Sequence, residues 1–144
     1  VIEACKSGYH LCRREDLLSW LGPAIWEAEA DEEGMIVADD KIIVHRARLI
    51  RRIDTWSERT ARLFAADCAE FVLPNFESRC PNDDRARLAI QASRDYANGK
   101  IDSAAWSAAD SAADWAADSA AESAARQWQT DRLFQYLNGE VGFS

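Results

Sequence analysis

SAAWSAADSAADWAADSAAESAAR, residues 103–126, repeats a four-residue unit six times. Ala is the best helix former, and Gly and Pro are absent from the run, so the spacing predicts an uninterrupted helix. Carried on through Leu137, that helix would be about 54 Å long at 1.5 Å per residue and would form the spine of its domain. A four-residue repeat drifts by roughly 40° per unit on a 3.6-residue helix. Asp110, Asp114, Asp118 and Glu122 therefore make an acidic stripe that winds across the surface. Like charges at i,i+4 repel by a few tenths of a kcal/mol each, and within the stripe only Glu122 and Arg126 form a favourable pair. Large side chains are sparse here. The helical wheel groups Trp115, Leu133 and Leu137 with Ile101 and Phe134 as a core face. Trp106 and Trp128 point the other way, either packed under the N-terminal segment or exposed as aromatic anchors for a partner.

The 144-residue chain carries a net charge of −8 with a pI near 4.7, which argues against nonspecific binding to nucleic acid and favours either a basic partner or simple solubility. Hydrophobic residues make up 48%, which excludes wholesale disorder, although many are Ala. No run of about 18 apolar residues and no signal-peptide pattern is present, so the expectation is a soluble cytoplasmic protein. The chain begins at Val1 rather than Met, which leaves room for a short leader. Cys5, Cys12, Cys68 and Cys80 contain no CxxC pair, and four reduced thiols without metal or other cofactor are expected.

Upstream of the repeat, Ser7 to Cys12 reads as a turn into a short strand, and Arg13 to Leu21 as a helix stopped by Gly22-Pro23. Ala24 to Ala30 and Met35 to Ala38 read as strands flanking the Asp31–Gly34 turn. KIIVHRARLIRRI, residues 41–53, is the best β signal in the chain. Read as one strand, it puts Ile43, His45, Ala47 and Leu49 on one face, with Arg46, Arg48 and Arg52 among those on the other.

From Asp54 onward the pattern is helical. Thr55 to Glu58 reads as a capping box opening a helix that Pro74 would stop near Leu73. Asp67 falls among the apolar residues of its wheel, near Leu63, Phe64 and Phe71. A buried carboxylate there calls for an arginine, with Arg48 or Arg52 as candidates, or for backbone N–H groups. Asn82-Asp83-Asp84 caps a second helix that ends at Asn98-Gly99, and Asp102 caps the long one.

The segment Ala61 to Pro74, containing Asp67-Cys68-Ala69-Glu70 and Leu73-Pro74, is followed by Pro81-Asn82-Asp83-Asp84-Arg85 and Tyr96 to Lys100. Together with the Ala-rich helix, these residues resemble, over about 55–137, a family of helical immunity proteins found beside polymorphic toxins and in phage genomes. The resemblance implies an all-helical domain, and it brings no catalytic residue. Gly8 to Cys12, Trp20 to Pro23 and Asp40 to Val44 resemble a small domain found in phage proteins.

Other chemistry remains open to these residues. Cys5, His10 and Cys12, joined by His45 or Cys68, have the ligand types of a zinc site in a small metal-dependent enzyme, although C-x4-H-x-C is not a standard ligand spacing. Seven basic residues between Lys41 and Arg62 contrast with the acidic repeat. They could dock on it, remain solvated, or, against the global charge, bind nucleic acid. The reading is an α+β protein, with residues 1–53 a small β-containing segment packed on a three-helix antiparallel bundle, 54–139, and 140–144 a tail. It would be a non-enzymatic binder of an unidentified, basic protein partner through Trp106, Asp110, Asp114, Asp118, Glu122 and Trp128. Self-association as a phage accessory protein is the alternative of a different class.

Overall fold

The strong β run 41–53 does not form a single strand: a bend at His45–Arg46 splits it between two sheets. This emerges from a computed structural model describing residues 7–110 and 123–142. β1 (Tyr9–Leu11) and β3 (Ile36–Val37) flank β4 (Ile42–Val44) in one antiparallel sheet. β2 (Trp26–Ala30) pairs antiparallel with β5 (Ala47–Arg52) in the other. In one straight strand, neighbouring side chains would face opposite sides and only alternate ones would be buried together. Ile43 and Val44 are both fully buried, so the central strand of the first sheet is covered on both faces. The alternation read across His45 therefore fails.

The second sheet is held by a ladder of opposite charges. Glu29 stands opposite Arg48, Glu27 opposite Arg51, and a bulge between Glu27 and Ala28 makes Ile50 the extra residue. The side chains close on one another: Arg48–Glu29 at 2.6 Å, Arg51–Glu27 at 2.7 Å and, just beyond the strands, Arg46–Asp31 at 2.5 Å. Between β1 and β2 the expected helix is a 3-10 helix, Arg14–Trp20, whose entry is tied by Arg13 to Asp16 at 2.8 Å.

The chain divides into two units, Val1–Trp56 and Ser57–Ser144. Trp56, the last residue of the first unit, is buried and donates its indole N–H to the Gly22 carbonyl within that unit. The next residue, Ser57, is the N-cap of α1 (Glu58–Arg79) and exchanges hydrogen bonds with Thr60. That capping box starts two residues later than Thr55.

Helix α1 also runs through Pro74 rather than stopping there. An interior Pro removes one backbone hydrogen bond and crowds the preceding turn, at about 3 kcal/mol. Pro74 and Asn75 face solvent, while Leu73 and the partly buried Phe76 pack against Ala86 and Ile90 of α2 (Arg85–Ala97) and hold the next turn in place.

Side-chain pairs fix the directions. Asp67 meets Arg94 and Glu77 meets Arg87, so α2 runs antiparallel to α1. Phe71 meets Trp128, Asp67 meets Arg132 and Phe64 meets Tyr136, so α4 (Ser123–Leu137) is antiparallel to α1 as well. α3 (Ser103–Asp110) packs on α2, with Asp102 capping the Ala105 amide at 2.9 Å. Trp106 reaches Arg62 and Tyr136 reaches Phe64, two residues apart on α1. The uninterrupted helix expected over 103–137 runs through residues 111–122, which lie outside the described residues.

The tail folds back over the start of α1. Arg59 donates to the Gly142 carbonyl and, at 2.7 Å, to Asn98 Oδ1. Gly142 has φ +87°, and a Cβ there would lie 2.7 Å from the Tyr136 ring. The fold class is α+β.

Candidate functional site

Asp67 sits where three helices meet. Its side chain is 11% exposed. Oδ1 accepts from Arg94 of α2 at 2.8 Å. Oδ2 accepts from Arg132 and from the Tyr136 hydroxyl of α4, each at 2.8 Å. Arg94 is shared with Glu70, one turn along α1, at 2.5 Å. The partners are thus Arg94, Arg132 and Tyr136. Arg48 and Arg52 are exposed residues of β5, and Arg48 is paired to Glu29, so the expected buried role passes from them to Arg94 and Arg132. Sequence reading missed both. The available signal was the i,i+4 spacing of Arg132 and Tyr136, which puts a guanidinium and a hydroxyl on one face of α4.

Burial alone would push the Asp67 pKa up, but hydrogen bonds from Arg94, Tyr136 and Arg132 outweigh it and hold the carboxyl below its ordinary value. The same geometry pushes Tyr136 up, by burial first and then by its bond to the carboxylate. A carboxylate so engaged serves as a tie between helices rather than as a general base, which would need a free lone pair and a pKa nearer neutrality. Next to it, burial and the Asp67 charge push the Cys68 thiol up to about 12, which removes it as a nucleophile at neutral pH.

The aromatic residues expected as partner anchors are engaged within the helical unit. Trp106 lies against Tyr96 with centroids 5.4 Å apart and planes 19° apart, and its indole N–H points to Ser93 Oγ at 3.2 Å. The Arg62 guanidinium lies 4.6 Å from the Trp106 ring centre and 4.7 Å from that of Tyr96. Trp128 stacks on Phe71 with centroids 4.3 Å apart. Both tryptophans are half-buried, and Phe71 stays 42% exposed beside Trp128. Asp114, Asp118 and Glu122 of the acidic stripe, and Trp115 of the expected core face, lie outside the described residues, while Asp110 is the last residue of α3. Leu133, from that core face, is fully buried.

In the first unit, His10 and Cys12 line a groove of roughly 240 Å³ with Leu17, Trp20, Trp26 and Leu49. Burial and then Asp16 push the Cys12 thiol up. His45 sits elsewhere, against Gly34, and Cys5 lies outside the described residues. Among the described residues no three His, Cys, Asp or Glu side chains converge as metal ligands would, and Cys12, Cys68 and Cys80 are unpaired. No helix among the described residues is long and apolar enough to cross a membrane.

No curated protein and no solved structure matches the chain. The model of one family, described as Imm-5 like putative immunity protein, matches residues 51–130. That span takes in α1 to α3 and the first half of α4, with Asp67, Arg94 and the whole acidic repeat, and amounts to more than half of the chain. The chain therefore belongs to the Imm-5 like immunity protein family.

Proposed function

We propose that this is a non-enzymatic immunity-type protein that binds and neutralises a protein partner, and that its acidic repeat recognises a basic surface on that partner. Family membership supports the binding role. The finer reading is carried by one observation, the charge ladder of the second sheet. Arg46, Arg48 and Arg51 are matched by Asp31, Glu29 and Glu27 of their own sheet, and Arg62 is matched by Glu58. Much of the basic segment that could have neutralised the acidic repeat internally is thus already engaged locally. By sequence the repeat carries Asp110, Asp114, Asp118 and Glu122 against Arg126, and such a surplus of negative charge speeds association with a basic surface and makes it salt-sensitive within about 8 Å at physiological ionic strength.

The test is growth rescue. A cell expressing a candidate toxic protein with a basic surface is expected to be protected by co-expression of the wild type. Asp110→Ser/Asp114→Ser/Asp118→Ser weakens that protection while the purified variant keeps its melting temperature. Full protection by the triple variant would remove the acidic repeat from recognition, and no protection by the wild type would remove that partner. A native mass of a dimer or larger assembly would favour self-association instead.

A further inference from the structure

We infer that the Phe71–Trp128 stack seats an arginine side chain presented by the protein partner, with Asp131 as its counter-charge. The inference rests on the reading of a protein that binds a basic partner, and it names the side chain that the partner contributes. Phe71 of α1 and Trp128 of α4 lie with centroids 4.3 Å and planes 14° apart, yet Phe71 keeps 42% of its surface open. An exposed ring alone is ordinary on a protein surface. The charges around this one select what can dock on it.

Asp131 follows Trp128 by three residues, which makes the two neighbours on the surface of α4. Its exposed carboxylate accepts from the neutral Gln127 amide at 3.2 and 3.3 Å, and no cation pairs with it among the described residues. The acids of α1 beside Phe71 are already engaged, Glu70 by Arg94 and Asp67 by Arg94 and Arg132. Other aromatic rings carry the chain's own cations. Arg62 lies over Tyr96 and Trp106, Arg132 over Tyr136 and Lys41 over Trp20. The Phe71–Trp128 stack carries none among the described residues. A half-open aromatic stack and a carboxylate one turn away thus both lack the cation that each would attract.

That combination favours arginine over lysine. A guanidinium is planar and weakly hydrated, so it lies flat on an aromatic face while its N–H fork reaches a carboxylate. The lysine ammonium is a strongly hydrated point charge and gains less from the ring. Charge on the acidic repeat acts at a distance and treats basic surfaces alike, whereas the stack discriminates between them on contact.

Fluorescence anisotropy of labelled oligo-arginine and oligo-lysine peptides of equal length, titrated with the full chain, tests the inference. The wild type is expected to bind oligo-arginine more tightly. Phe71→Leu keeps an apolar side chain between the helices but removes the aromatic face. It is expected to weaken oligo-arginine by about two- to fivefold and to leave oligo-lysine nearly unchanged. Phe71→Trp is expected to keep the preference, and Asp131→Asn to weaken oligo-arginine more than oligo-lysine. Equal affinity of the wild type for the two peptides, or binding of neither, would overturn the inference, as would a Phe71→Leu variant that still prefers arginine. Asp110→Ser/Asp114→Ser/Asp118→Ser is expected to weaken both peptides alike. If it weakens neither, the acidic repeat loses its role in recognition, while the arginine preference and its dependence on Phe71 still decide the seat.

Discussion

The guanidinium of Arg132 lies 2.7 Å from the carboxylate of Asp67, joining α4 to α1 across 65 positions of sequence. Arg94 reaches the same carboxylate from α2. Removing the acid therefore leaves Arg132 without its carboxylate and Arg94 with Glu70 alone. Asp67→Ala is expected to destabilise the protein by about 2–4 kcal/mol, below the upper range for a fully buried pair because both arginines keep some contact with water. Urea unfolding followed by tryptophan fluorescence measures it. A loss under about 1 kcal/mol would reduce the Asp67 cluster to a surface ion pair.

Acid should act through the same group. The folded-state pKa of Asp67 lies below its ordinary 3.8, so between the two values the unfolded chain binds the extra proton. The contribution of Asp67 is complete above about pH 4 and is lost as pH falls through the depressed folded value. Glu70, held down chiefly by Arg94, adds to the slope. Urea midpoints from pH 6 down to pH 2 are expected to fall less steeply for Asp67→Asn than for the wild type. Parallel curves would mean that Asp67 titrates normally in the folded protein.

The thiols should separate by reactivity. Cys80 is exposed, whereas the Cys68 thiol is pushed up to about 12 by burial and by Asp67. At pH 8 this leaves Cys68 with roughly a thousandfold less thiolate than an ordinary cysteine near 8.5. Timed alkylation with peptide mass analysis is expected to label Cys80 within the first minutes and Cys68 only after denaturation. Comparable rates at the two sites would contradict the packing around α1.

The cross-strand charge ladder should be modest in energy and exchangeable in sign. Arg48 and Glu29 face each other in register on an exposed surface, where a pair contributes about 0.2–1 kcal/mol. Glu29→Arg is expected to destabilise the first unit, and adding Arg48→Glu to restore most of the loss. Melting temperatures of the two single variants and the double variant close the cycle, and absence of rescue would mean that the pair does not couple.

Legibility in the sequence followed the range of the interactions. The caps at Asp102 and Gly99, the helical character after Asp54 and the presence of a polar residue on the apolar face of α1 are local properties, and local patterns display them. The corner at His45–Arg46 carries no Gly, Pro or Asn, so nothing in the run 41–53 marks a change of sheet. Pro74 reads as a stop only if the contacts of Leu73 and Phe76 with α2 are unknown. The partners of Asp67 come from positions 94, 132 and 136, and no periodicity links them to it. For the repeat, composition sets helical preference, but the placement of α3 and α4 is decided by where Trp106 and Tyr136 dock.

Gly142 makes a tail position answerable to the centre of the bundle. Any side chain there must adopt a left-handed backbone and push aside the Tyr136 ring, which would otherwise stand 2.7 Å from its Cβ. Tyr136 carries the hydroxyl bonded to Asp67, so the displacement is delivered to the carboxylate that three helices share. In a saturation mutagenesis map scored by abundance, position 142 should stand out as an intolerant column beside permissive Glu140. It should share its pattern of depleted variants with positions 136 and 67, more than seventy residues upstream in the latter case.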